Sequence, residues 1–208
     1  MNATPLRYLH PSNLVTYLAL LAALSAIVAA KELESAPAAG GLIALSVLAD
    51  TLDGRFARLF KRDDDQRRFG AQLDSLADAL SFGLAPIACV YLLLPFESPA
   101  ARWIWCAAAF FYVISTITRL GFYNIHAGKS SDFVGVPAPA VGLIWSSYLL
   151  SHPSTVVSIV LLVSCAVAMI YSIRIPRPTR SGLLAFISWS VLLMIIHGVA
   201  LWTVGGPQ

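Results

Sequence analysis

Asp50-Thr-Leu-Asp53-Gly54-Arg-Phe-Ala57-Arg58 and, after a charged connector, Gly70-Ala-Gln-Leu-Asp74-Ser-Leu-Ala-Asp78 set four aspartates in strongly apolar surroundings. Carboxylates at membrane depth are costly unless they pair with a cation. A helix turns about 100° per residue. With Asp50 at zero, Gly54 lies at roughly +40°, Arg58 at roughly +80°, Asp53 at roughly −60° and Ala57 at roughly −20°. These five residues share one face, while Arg55 and Phe56 point elsewhere. With Gly70 at zero, Ser81 lies at roughly +20°, Asp74 at roughly +40° and Asp78 at roughly +80°. The four aspartates therefore fall on two helical stripes, one in each stretch.

The rest of the chain reads as membrane protein. Apolar residues make up 58% and charged residues 12% of 208 residues, where a soluble domain carries about a quarter charged. Apolar runs near 13–30, 37–60, 71–95, 103–123, 135–151, 155–173 and 182–203 approach the roughly 20 residues that span a bilayer. Without water to satisfy the backbone, such runs are helices. The expectation is an all-α, polytopic integral membrane bundle of about seven spans (six to eight), forming one domain over residues 1–208. The first run is expected to be a retained helix: a second span follows closely, without a convincing cleavage site.

Arg7, the Lys61–Arg68 connector, Arg119, Lys129, Arg174, Arg177 and Arg180 fall on one side of this arrangement, and only Lys31 and Arg102 on the other. Positive charge collects in cytoplasmic loops. This predicts a cytoplasmic N-terminus, with the aspartate stripes opening to the cytoplasm. The net charge of +3 suits anionic lipid headgroups and gives no reason to expect nucleic acid. Cys89, Cys106 and Cys165 lie in apolar runs without metal spacing and read as small packing residues. Asp63-Asp64-Asp65 reads as part of a solvated loop, and Met1–Asn13 as an interfacial lead-in. Trp103, Trp105 and Trp202 read as interfacial anchors. His126 and His197 have packing or interfacial roles.

Two facing stripes with four carboxylates make a cleft suited to one or two hard divalent cations. Gly54 and Ala57 let a bulky ligand approach the backbone, and Arg58 supplies a bidentate phosphate donor. A carboxylate-bound metal beside an arginine suits pyrophosphate chemistry. A cation transporter is the alternative from another class. It would not need Gly54, Ala57 and Arg58 on the stripe, and the paired half-repeats common in transporters are not detectable.

The pattern D-x2-D-G-x2-A-R-x11-G-x3-D-x3-D resembles the signature of the CDP-alcohol phosphotransferase family, with a connector slightly longer than the commonest form. The resemblance extends over most of the chain, and Pro11-Ser12-Asn13-Leu14-Val15-Thr16 looks like the family's entry to its first helix. It implies transfer of a phosphatidyl group from CDP-diacylglycerol to an alcohol, with release of CMP. Asp50, Asp53, Asp74 and Asp78 would bind Mg2+ or Mn2+, and Asp78 would also act as general base. Asp50, Gly54, Ala57 and Arg58 would bind the CDP moiety, joined by Asn13 and Thr16 unless these only cap the first helix. The family likeness also implies a homodimer, here in a cell inner membrane.

Three further stretches look like the phosphatidylserine synthase branch. They are Asp74-Ser-Leu-Ala-Asp78-Ala-Leu-Ser81-Phe-Gly83-Leu-Ala-Pro86, Thr118-Arg119-Leu120-Gly121-Phe122-Tyr123-Asn124 followed by Phe133-Val-Gly135-Val-Pro137-Ala-Pro139, and Ser172-Ile-Arg174-Ile-Pro176. Gly121 and Phe122 depart from that branch, where Ala and Arg are usual. L-serine is the acceptor this implies, held by residues among Ser81, Arg119, Asn124, Lys129 and Arg174. Inositol phosphate, glycerol phosphate and choline are the alternatives within the same chemistry.

Overall fold

A computed structural model describes residues 4–126, 133–175 and 179–205. Two 3-10 turns, Pro5–Tyr8 and Pro11–Asn13, lead into α1 (Leu14–Glu32). Next come α2 (Ala36–Ala57), α3 (Asp64–Asp78), a π-helical turn (Ala79–Leu84), α4 (Ala85–Leu93) and α5 (Pro99–His126). Then follow β1 (Phe133–Val134), α6 (Ala138–Tyr148), α7 (Thr155–Ile170), β2 (Arg174–Ile175) and α8 (Arg180–Gly205).

Among the described residues, five continuous helical stretches are long and apolar enough to cross a membrane: Pro11–Glu32, Ala36–Ala57, Asp64–Leu93, Pro99–His126 and Arg180–Thr203. The expected runs at 135–151 and 155–173 form shorter helices of 11 and 16 residues, roughly 16 and 24 Å long at 1.5 Å per residue. The molecule is an all-α integral membrane bundle. α2 is central, packed against α1, α6 and α8, while α5 lies along α7. The core is built largely of alanine at the α1–α2 contact, with Ile43, Tyr112, Trp145 and Leu162 filling the wider gaps. Small residues allow this close approach, because lipid offers no hydrophobic drive between helices.

Local chemistry sets the element boundaries. The Ser35 hydroxyl accepts from the Ala38 amide at the start of α2. Asp63 caps α3 through a reciprocal box: its Oδ1 accepts from the Gln66 amide at 2.8 Å, and Gln66 Oε1 accepts from the Asp63 amide. Asp64 and Asp65 then occupy the first turn, favourable for the helix dipole. The acidic run thus starts a helix, where the sequence reading had a solvated loop. The D-x-x-Q spacing was its signal.

Pro86 explains the π turn. Lacking an N–H, it leaves the Phe82 carbonyl without an intrahelical donor. The backbone widens over Ala79–Leu84, where the Ala85 amide donates to Leu80, and the Tyr112 hydroxyl donates to the Phe82 carbonyl at 2.6 Å. Trp145 Nε1 completes the chain by donating to the Tyr112 oxygen at 3.0 Å.

β1 and β2 pair antiparallel, Phe133 with Ile175 and Val134 with Arg174. Gly135 makes the turn out of β1 at φ +72°, its position against the Met169 carbonyl leaving no room for a Cβ. Trp105 corrects the anchoring expectation: it is 3% exposed and donates to the Ser158 hydroxyl at 2.9 Å. Trp103 and Trp202 are 75% and 77% exposed. His197 is buried and bonded to Ser146, whose hydroxyl donates to the Gly40 carbonyl. The three cysteines are free.

Candidate active site

α2 brings Asp50 and Asp53 down to its last two turns, and α3 presents Asp74 opposite them. One carboxylate oxygen from each of Asp50, Asp53 and Asp74 lies within 4.8 Å of the others. Asp78, one turn further along α3, stands beside Asp50, carboxyl to carboxyl. The two ion pairs among the described residues, Arg7–Asp63 and Arg67–Asp64, involve none of these four. A carboxylate at the centre of a membrane helix costs about 2.5–3.5 kcal/mol even on insertion scales. Three held this close, without a protein cation in contact, match the all-oxygen donor set of a hard divalent ion.

Asp53 and Asp74 open into a cleft of about 220 Å³, which Asp50 and Asp78 do not line. Its walls include Asn13, Thr16, Asp53, Gly54, Ala57, Gly70 and Asp74. Thr16 Oγ1 donates to Asp53 Oδ2 at 2.7 Å, fixing one oxygen of that carboxylate. Asn13 makes no side-chain cap on α1. Its amide instead donates to the Tyr8 carbonyl at 3.2 Å, tying the lead-in to the start of α1. A Cβ on Gly54 would meet nothing within 4 Å, so the cleft stays open there. At Gly70 a Cβ would come within 3.2 Å of Arg62 Nη1.

Arg62 and Arg67 also line this cleft, although the sequence reading left both in a solvated loop. Arg58, expected to serve the phosphates, caps the C-terminus of α2, exposed, and is not among the lining residues. The signal for Arg62 was available only in retrospect: glycine at 70 leaves space that a guanidinium fills.

The expected acceptor residues divide. Ser81 and Arg119 are buried at 1% and 7% exposure, and Ser81 Oγ and Arg119 Nε have no hydrogen-bond partner among the described residues. Arg119 lies within electrostatic reach of Asp78, and its guanidinium lies 4.7 Å from the centre of the Tyr123 ring. Arg119 also lines a second pocket of about 160 Å³ with Phe122, Val134, Met169 and Ser172. Asn124 Oδ1 accepts from the Ser75 hydroxyl at 3.0 Å on the surface. Arg174 is exposed on β2. Lys129 lies outside the described residues.

Outside the membrane, Asp63 accepts from the Gln66 amide and from Arg7 Nη2 at 2.7 Å, which together hold its carboxyl below the ordinary value of 3.8. Tyr8 stacks on Phe69 at 4.8 Å. The lead-in is thus strapped to α3 by charge and by ring contact.

The sequence predicts four carboxylates on two facing helical stripes; the structure clusters Asp50, Asp53 and Asp74 in a membrane helix bundle. The profile of the CDP-alcohol phosphatidyltransferase family matches residues 9–204, so the chain belongs to that family. It is 33% identical over 197 residues to a CDP-diacylglycerol–serine O-phosphatidyltransferase of Mycobacterium tuberculosis, covering 84% of this chain and 66% of that one. A CDP-diacylglycerol–serine O-phosphatidyltransferase of Methanocaldococcus jannaschii is 32% identical over 156 residues, covering 74% of this chain and 72% of the relative. An archaetidylserine synthase of Methanothermobacter thermautotrophicus is 34% identical over 142 residues, covering 68% and 59%.

Proposed function

We propose that residues 1–208 act as one catalytic domain that transfers a phosphatidyl group from CDP-diacylglycerol to L-serine, giving phosphatidylserine and CMP. The observation that carries this is the triple carboxylate cluster of Asp50, Asp53 and Asp74 at a cleft that also holds Arg62 and Arg67. The serine assignment draws on the names of the similar proteins and on the buried Arg119 beside Asp78. A Mg2+ or Mn2+ ion held by Asp50, Asp53 and Asp74, with Asp78 adjacent, would polarise the phosphoryl group and offset charge on the departing CMP.

The chain's own residues do the rest. Gly54 and Ala57 leave room for the CDP moiety along α2. Arg62 and Arg67 face its phosphates, and Asn13 and Thr16 border it from the lead-in and α1. The lipid tails remain in the bilayer. Serine comes from the cytoplasm, with its carboxylate on Arg119 and its hydroxyl at Asp78. Asp78 takes the hydroxyl proton, the serine oxygen bonds to the lipid-side phosphorus, and the bond from that phosphorus to CMP breaks. The enzyme would sit in the cell inner membrane with this cleft cytoplasmic, as a homodimer in line with the family likeness.

The purified protein, given CDP-diacylglycerol and Mn2+ with a panel of alcohols, is expected to release CMP in step with serine. Release with inositol phosphate, glycerol phosphate or choline instead would move the acceptor. Release with none would abandon the transferase reading in favour of a cation carrier.

A further inference from the structure

Five buried side-chain atoms among the described residues lack a hydrogen-bond partner, and four of them lie in one seam: Asp78 Oδ1, Ser81 Oγ, Ser115 Oγ and Arg119 Nε. The seam runs between α5 and the α3–π-turn segment, which are antiparallel. Ser75 bonds Asn124, Asp78 faces Arg119, and the Phe82 carbonyl accepts from Tyr112. Ser81 and Ser115 therefore fall between the last two of these rungs. On α5, Tyr112, Ser115, Thr116 and Arg119 share a stripe roughly 100° wide. Thr116 is satisfied within its own helix, its hydroxyl donating to the Tyr112 carbonyl at 3.0 Å. Ser115, 1% exposed, is not satisfied.

Buried polar atoms in native proteins are nearly always paired, and leaving one unpaired is costly. Four on facing helices form a matched set. The set offers a carboxylate oxygen, a guanidinium N–H and two hydroxyls. A small zwitterionic amino alcohol complements it: its own hydroxyl to Asp78, its carboxylate to Arg119, and its ammonium to the two serine oxygens. We infer that Ser115, with Ser81, receives the acceptor's ammonium group and sets specificity for an amino acid over a simple alcohol. This rests on the transferase reading above and adds Ser115, which no sequence feature marked.

The test is acceptor kinetics of Ser115→Ala in detergent micelles containing CDP-diacylglycerol and Mn2+. A hydrogen bond to a charged group contributes about 1.5–3 kcal/mol, so KM for serine should rise roughly 10-fold or more. The KM for CDP-diacylglycerol and the thermal midpoint should stay at wild-type values. Ser115→Cys, similar in volume but a weaker acceptor, should raise serine KM as well and serves if the alanine variant does not fold. Competition by 3-hydroxypropionate, which lacks the ammonium, should be equally strong against wild type and variant. A serine KM within twofold of wild type, or an equal loss of 3-hydroxypropionate affinity, overturns the ammonium contact while leaving the transferase reading intact. Absence of serine-dependent CMP release in the wild type overturns both.

Discussion

Thr16 reaches across from α1 to hold one oxygen of Asp53 at 2.7 Å. A group that orients a metal-binding carboxylate commonly contributes 10–100-fold to metal affinity. Thr16→Val, which keeps the shape and removes the hydroxyl, is therefore expected to raise the Mn2+ concentration for half-maximal CMP release roughly 10-fold or more. A metal titration of turnover checks this, and an unchanged midpoint would reduce Thr16 to a packing residue. In the proposed reaction Asp78 has a different task. General-base catalysis contributes about 10²–10⁴-fold, so Asp78→Asn should lower kcat by that order while CDP-diacylglycerol still binds. Normal turnover would end the general-base role. The aspartates were legible one by one, because charge in an apolar run needs a reason. Of Arg58, Arg62 and Arg67, only Arg58 continues the α2 periodicity, so it alone is legible as a cleft residue. The path of the connector back over Gly70 is not periodic and left no pattern to read.

The element most exposed to a single change is the π turn. Its free Phe82 carbonyl depends on Tyr112, which in turn takes the indole N–H of Trp145. Tyr112→Phe keeps the ring and strands both partners, at about 1–3 kcal/mol for each buried unpaired group. A clear fall in the thermal midpoint of the detergent-solubilised protein is expected. An unchanged midpoint would mean the widened turn satisfies itself. The helices themselves were readable from apolar runs, and Pro86 was visible as a breaker. That the break would be a widened turn, answered by a tyrosine 26 positions later, depended on how α5 packs. Trp105 shows the same limit: near a span end it looked like an anchor, yet Ser158 on α7 draws it inward.

At the level of the whole molecule, the lead-in is strapped to the start of α3 by Arg7 on Asp63 and Tyr8 on Phe69. Asp63 has a lowered folded-state pKa, from its bonds to Gln66 and Arg7. Its contribution is therefore fully present above the ordinary value of 3.8 and is lost as pH falls through the lower folded value. Wild type should be more stable than Asp63→Ala at pH 7, and the difference should shrink below about pH 4. Both partners are exposed, so the effect is small and should weaken in high salt. A pH series of thermal midpoints for the two proteins checks the sign.

Two kinds of information met in this chain. Helix type, membrane residence and the two acidic stripes were already in the order of the residues, because hydropathy and the turn of a helix act over a few neighbours. Which stripes face each other, which arginines close the cleft, and that Ser81 and Ser115 share a buried seam with Arg119 depend on contacts between distant residues. Those arise from packing and chain crossing, where the partner that satisfies a buried group lies far along the sequence and no local period points to it.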